Sequence, residues 1–283
     1  MSAWRDSLRR RAKPLVRAVR RAAARTFHGH GSAELDRALA AVGLAAGDTV
    51  MVHSGFRATS GFAGTPSDVI ACLERAIAPD GNLLMMAMPY RGATEAYAAR
   101  DPLFDVRRSP AATGIIAETF RRRADVQRSL SPFHPVLAAG PLAAWLTADH
   151  ERTPYTCGRG SPFERLLKLD GRLLFYDAPY SAMTFMHYVE DRCRDALPVA
   201  LYGEEPALVR VRDAAGRERG VSQYYFSAAA RERRHFAPIE ALLETRGQLR
   251  RARVGNSHLL CVDAGDVLAA ATNLLAEGRG FYR

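Results

Sequence analysis

The chain has 283 residues, 48% of them hydrophobic and 25% charged, with 22 Gly and 15 Pro. That is globular composition, with enough apolar material for a core, and it excludes collagen-like, coiled-coil and disordered chains. No run approaches the ~18 apolar residues of a membrane span. Cys72, Cys157, Cys193 and Cys261 stand far apart with no CxxC pair, so neither a disulfide scaffold nor a zinc ribbon is indicated and reduced thiols in a cytoplasm are expected. The net charge of +10 is concentrated at one end. Residues 1–30 hold nine basic groups against Asp6 alone, a balance of +8, and the remaining chain is close to neutral at +2.

In residues 1–30, Trp4, Leu8, Leu15, Val19 and Phe27 recur at helical spacing between arginines. An amphipathic basic helix is predicted over 3–26. No apolar run follows the charges, so a secretory signal is not indicated. Such a helix either packs its stripe on the body or a second copy of the chain, or lies on an anionic membrane surface. Nucleic acid ranks last, because the body adds no aromatic-and-basic platform. The predicted division is a basic arm, 1–30, and one compact domain, 31–283.

The body alternates helix and strand. Ser32 caps a helix through Val42, and Gly47-Asp48 turns into the strand Thr49–His53. Thr65-Pro66 opens a helix that buries Val69, Ile70, Leu73 and Ile77 and ends near Pro79. Asp80-Gly81 leads to a buried strand, Leu83–Met88. Helices follow over Gly114–Arg123, Pro141–Ala148 and Phe163–Leu169, then a strand, Leu173–Asp177, and a helix over 183–194. Leu208–Arg212 and Val221–Tyr225 flank a Gly-containing turn and read as a hairpin. Helix 237–246, strand 258–262 and helix 264–277 close the series. The expected fold class is α/β, a single domain with a mixed central sheet flanked by helices.

Three segments carry candidate chemistry. On a helix, Thr184, His187 and Glu190 share a face at three-residue spacing, with Asp191 one turn beyond His187. Imidazole accepts protons near neutral pH, and a carboxylate one turn away fixes its tautomer. The same spacing also describes an ordinary exposed surface pair. Val52-His53-Ser54-Gly55 ends the first strand, where ligands collect in open α/β sheets. The free amides before helix 66–78 suit an anionic group; the alternative is that the glycines between them simply make turns. In Arg128-Ser129-Leu130-Ser131-Pro132-Phe133-His134-Pro135, a guanidinium and two hydroxyls suit a phosphate or carbonyl, or the loop is only Pro-stiffened. No GxSxG elbow, HExxH zinc motif, nucleophilic-cysteine context or Gly-rich pyrophosphate loop is present.

Taken in order, these segments resemble the aminoglycoside 3-N-acetyltransferase family. The resemblance runs through Val52-His53-Ser54, Gly81 to Met88-Pro89, Phe104-Asp105, Gly114 to Arg121, Arg128-Ser129, Ser161-Pro162-Phe163, Asp170-Gly171, Thr184 to Glu190 and Val254-Gly255. It covers residues 34–277 and leaves the arm outside. It implies an acetyl-CoA-dependent N-acetyltransferase that acts on an amine of an amino sugar without a metal. His187 would accept the amine proton, Glu190 would orient it, and Thr184 with His53 and Ser54 would hold the thioester and its oxyanion. His53, Ser54, Gly55, Arg128 and Ser129 are the expected coenzyme contacts.

The chain departs from the family pattern at Gly55 (a second serine in the family), at Ser131 (a histidine) and over Phe175-Tyr176-Asp177-Ala178 (a glycine-containing stretch). Aminoglycosides are polycations, and a body at +2 shows no acidic surplus to attract them. A nucleotide-linked or polysaccharide-precursor amino sugar is therefore the expected acceptor. The alternatives are another acceptor or acyl chain on the same chemistry, and a non-catalytic binding protein on the same fold.

Overall fold

The computed structural model describes residues 16, 19, 22–24, 26–57 and 59–283. Most of the predicted arm helix lies outside the described residues. Of its apolar stripe, Val19 and Phe27 are exposed, Phe27 at 77%, rather than packed on the body. The chain leaves the arm by crossing a loop very closely. The His30 N–H donates to the Gly61 carbonyl at 3.2 Å and the Ala63 N–H to the His30 carbonyl at 2.9 Å. An added Cβ at Gly61, whose φ is +88°, would lie 2.0 Å from the His28 carbonyl oxygen, so only glycine fits there.

Among the described residues, ten strands form two sheets. The seven-stranded sheet has the order β4 (Gln127–Arg128), β5 (Val136–Ala139), β2 (Asn82–Met86), β1 (Thr49–Ser54), β6 (Arg172–Tyr176), β10 (Ser257–Asp263) and β9 (Arg250–Val254). β1 runs parallel to β2 and β6, and the outer pairings are antiparallel. The mixed central sheet is therefore as expected. A second, three-stranded sheet joins β3 (Leu103–Asp105) to the hairpin of β7 (Ala207–Arg212) and β8 (Glu218–Gln223).

Successive side chains of a strand point to opposite faces, and the two faces hold two separate cores. Val50, Val52, Leu83, Met85, Leu174 and Tyr176 pack with helices Ser32–Ala41, Pro66–Ile77 and Ile115–Arg121. Met51, Leu84, Met86, Leu173 and Phe175 pack on the other side, with helices Pro162–Lys168, Met186–Arg192, Ala237–Thr245 and Ala264–Ala276. The Pro66–Ile77 helix starts as its sequence predicts. The Thr65 hydroxyl accepts from the Asp68 N–H, and the Asp68 carboxylate accepts from the Thr65 N–H at 2.7 Å.

Strands β3, β4, β5 and β9 are not among the strands expected from the sequence. β9 alternates Arg250, Arg251, Ala252, Arg253, Val254 and is an edge, where charge blocks further pairing. The helix predicted over 183–194 is shorter, Met186–Arg192, with Thr184 in the turn before it. Among the described residues no helix is long and apolar enough to cross a membrane.

Leu174 lies fully buried in a central strand, opposite Val52 and Cys261. Leu174→Ala is expected to lower the unfolding free energy by about 2–5 kcal/mol. Denaturant titration checks this, and a loss below about 1 kcal/mol would mean the two-core packing is not what holds the sheet.

Candidate active site

His187 and Glu190 do meet. The imidazole Nδ1–H donates to Glu190 Oε2 at 2.8 Å, with the carboxylate side chain at 0% exposure and the histidine side chain at 19%. The ring is neither in open solvent nor sealed. A buried carboxylate is a costly charge, and this one is matched by several donors. Its Oε1 accepts from Arg234 Nε at 2.6 Å and from the Tyr282 hydroxyl. Burial alone would push the Glu190 carboxyl up, but the hydrogen bond from His187 and the charge and hydrogen bond of Arg234 outweigh it and hold it below the usual carboxylate value. Burial and the Arg234 cation both push His187 down, and Glu190 only partly opposes them. Together these shifts favour a neutral imidazole whose proton sits on Nδ1, leaving the Nε2 lone pair free to accept a proton.

Side-chain alternation decides which residues of the β1 end reach this pair. Met51 belongs to the core layer of the Met186–Arg192 helix, and His53 has the same parity. Its ring stacks on Phe175, 4.9 Å between centroids. Burial lowers the His53 pKa to about 4. Its Nε2 is buried with no protein partner, so this neutral ring has an open polar atom beside the site. Thr184 is buried and its carbonyl accepts the His187 N–H at 2.9 Å. Ser54 has the opposite parity to His53. The Gly55 N–H donates to the Tyr176 carbonyl at 2.8 Å, and an added Cβ would sit 2.6 Å from the Asp177 carbonyl oxygen. A serine is missing there because the backbone leaves no room for it.

Arg128 and Ser129 are placed differently from expectation. The Arg128 guanidinium donates to the backbone carbonyls of Ala87, Ser109 and Pro110 and lies 4.7 Å over the Phe104 ring. Burial lowers its pKa to about 9. It also borders a cavity of about 840 Å³ with Arg107, Arg121 and Val126, and His187 does not line that cavity. Ser129 is fully buried; its hydroxyl accepts from the Val136 N–H at 2.9 Å and donates to His150 Nδ1 at 2.8 Å. These contacts tie the loop together, while Arg128 Nε is buried with no partner. Ser131 likewise donates to Gln223 Oε1 at 2.8 Å, tying the loop to the small sheet.

Sequence reasoning missed four neighbours of the pair. The His134 ring lies edge-on to His187, 5.6 Å between centroids, with Nδ1 2.9 Å from the Thr156 hydroxyl. Burial, chiefly, keeps it well below the ordinary histidine value. Phe226 packs at 4.5 Å from the His187 ring and carries the Arg234 guanidinium 4.7 Å above its face. Arg234 and Tyr282 lie far from Glu190 in sequence, and no spacing links them to it. Only His134 had a signal, within the Arg128–Pro135 segment.

A profile of the family described as aminoglycoside 3-N-acetyltransferase matches residues 51–276. The chain belongs to that family. It is 31% identical over 174 residues to aminoglycoside N(3)-acetyltransferase III of Pseudomonas aeruginosa, a match covering 57% of this chain and 64% of the relative. It is 36% identical over 170 residues to aminoglycoside N(3)-acetyltransferase VII of Streptomyces paromomycinus, covering 55% and 58%. The matches thus span somewhat under two thirds of these curated relatives.

Solved structures match over more of the chain. A variant of aminoglycoside acetyltransferase AAC(3)-IVa in complex with gentamicin superposes with a TM-score of 0.72 at 25% identity, covering 88% of this chain and 89% of that one. AAC-IIIb, as a binary complex with CoASH, gives 0.70 at 26%, covering 89% and 98%. AAC-VIa bound to sisomicin gives 0.69 at 27%, covering 89% and 99%.

Because the position of Gly55 leaves no space beside the Asp177 carbonyl, Gly55→Ser is expected to lower stability by about 1–3 kcal/mol, the cost of overpacking. Thermal or denaturant unfolding measures it, and a neutral result would show that the β1–β6 exit is looser than this packing implies.

Proposed function

We propose that the chain transfers an acetyl group from acetyl-CoA to an amine of an amino sugar, with His187 as general base and Glu190 as the group that orients it. The observation that carries this reading is the buried Glu190 carboxylate on Nδ1 of a partly open, neutral imidazole. That arrangement supports proton removal by Nε2 as the acceptor nitrogen attacks the thioester carbonyl. The N–C bond forms, the C–S bond breaks, and the imidazolium returns its proton to the departing sulfur. The unpartnered His53 ring and the Thr184 hydroxyl suit the thioester end and its developing oxyanion. The family's CoASH-bound relative AAC-IIIb supports the co-substrate.

For the acceptor, we favour an amino sugar that is neutral or carries phosphate, such as a nucleotide-linked sugar. Most carboxylate oxygens around the site are engaged within the protein, although Glu95 Oε2 is buried without a partner. Glu190 accepts from His187, Arg234 and Tyr282, Asp191 from the Tyr202 hydroxyl at 2.8 Å, and Glu95 from Arg231. A cavity of about 400 Å³ beside Asp191, which His187 does not line, holds Arg159, Arg192 and Arg194 as well as Tyr155 and Asp195. These cations suit phosphate better than a polycation. The second reading, a cationic aminoglycoside acceptor, is favoured by the relatives AAC(3)-IVa with gentamicin and AAC-VIa with sisomicin.

Thiol release from acetyl-CoA with gentamicin, sisomicin and a uridine-diphosphate amino sugar separates the readings. Turnover of the nucleotide-linked acceptor alone supports our choice, and turnover of the antibiotics alone refutes it. His187→Ala and Glu190→Gln are each expected to reduce kcat by about 10²–10⁴-fold. Because His187 must be neutral to act and its pKa is held below 6.5, the rate should climb with pH along a limb whose midpoint lies below that value. An acceptor ammonium adds a separate limb at higher pH.

A further inference from the structure

Glu190 is held from three separate parts of the chain. Oε2 serves His187 on the same helix, and Oε1 accepts from Arg234, just after the Ala228–Arg233 helix, and from Tyr282, past the Ala264–Ala276 helix. Arg234 and Tyr282 are themselves joined as an antiparallel bridge. The His235 N–H donates to the Phe281 carbonyl at 2.9 Å and the Arg283 N–H to the Arg233 carbonyl at 2.8 Å, with Phe281 fully buried. The segment 279–283 is thus stitched to 233–235 and delivers a phenol to the carboxylate. The residues matched by the family profile stop at 276.

We infer that Arg234 and Tyr282 are positioning residues of the proton-transfer site, keeping Glu190 ionised and turned so that Oε2 always faces His187 Nδ1. The inference rests on the reading of His187 as the base. The physical requirement is strict. A buried carboxyl stripped of its donors takes up a proton. A protonated Glu190 would donate to Nδ1, and the imidazole proton would move to Nε2, where no lone pair would then face the acceptor. Two donors on Oε1 prevent this and also block rotation of the carboxylate. The other groups facing His187 are His53 from β1, His134 from the loop before β5 and the Phe226 ring. Both histidines are held neutral by burial, so Glu190 and Arg234 are the charges that set the field.

Tyr282→Phe keeps the ring and removes only the hydroxyl. It is expected to lower kcat by about 3–10-fold with KM values within about twofold, and Arg234→Gln by about 10–100-fold, with Arg234→Lys recovering part of the loss. Both losses should move the acid limb of the pH profile to higher pH. A carboxylate with fewer donors stabilises imidazolium more, and loss of the Arg234 cation does the same. Packing damage that merely separated Glu190 from His187 would move the limb to lower pH, which would overturn the assignment. So would Tyr282→Phe with wild-type kcat and an unmoved limb while His187→Ala is impaired. If His187→Ala were as fast as wild type, the general-base reading itself would fall. Should Arg234→Gln fail to fold, Tyr282→Phe decides alone.

Discussion

A fully buried carboxylate held against one edge of an imidazole is the constraint around which this molecule is arranged. Glu190 has no access to water, and an isolated ion there would be prohibitively unfavourable. The fold provides the compensation. Its helix sits on one face of the seven-stranded sheet, Arg234 comes from the segment after a neighbouring helix, and Tyr282 returns from beyond the last one. The aromatic shell adds dryness. Phe226 packs on both the Arg234 guanidinium and the His187 ring, and His134 lies edge-on to His187. In low dielectric each of these interactions is stronger than it would be at the surface, so the same burial that makes the pair costly also strengthens the hold of the carboxylate on the imidazole.

Charge is distributed according to the same logic. The +10 of the whole chain belongs mostly to residues 1–30, and the body uses its many arginines as internal ties. Arg128 binds backbone carbonyls, Arg121 and Arg122 share Glu118, and Arg123 bridges Glu74 and Asp125. Few carboxylates are left over around the site, which is the basis for favouring a less cationic acceptor than the antibiotics bound by the relatives.

How much of this could be read from the sequence follows from the range of each interaction. Local signals worked: the Thr65 cap, the short apolar runs of β1 and β6, and the three-residue spacing of His187 and Glu190 are all set within a few residues. Edge strands were missed because β9 is mostly arginine and β4 is two residues long. The protein contacts of Arg128 and Ser129 were not legible, since hydroxyl and guanidinium chemistry suits a backbone carbonyl as well as a phosphate, and sequence does not say which is near. Arg234 and Tyr282 were invisible. Their role depends on two distant segments arriving at one carboxylate, and nothing in either segment announces that meeting. Gly55 is the intermediate case: the departure from the family pattern was visible, but its cause, the Asp177 carbonyl, needed coordinates.

The central claim is that His187 is neutral, carries its proton on Nδ1 and presents a bare Nε2. Nitrogen-15 NMR of the imidazole ring reads this directly across a pH titration. The account requires the Nδ1–H tautomer at pH 7 and a midpoint below the 6.5 of an ordinary histidine. A ring that is charged at pH 7, or that holds its proton on Nε2, would contradict it.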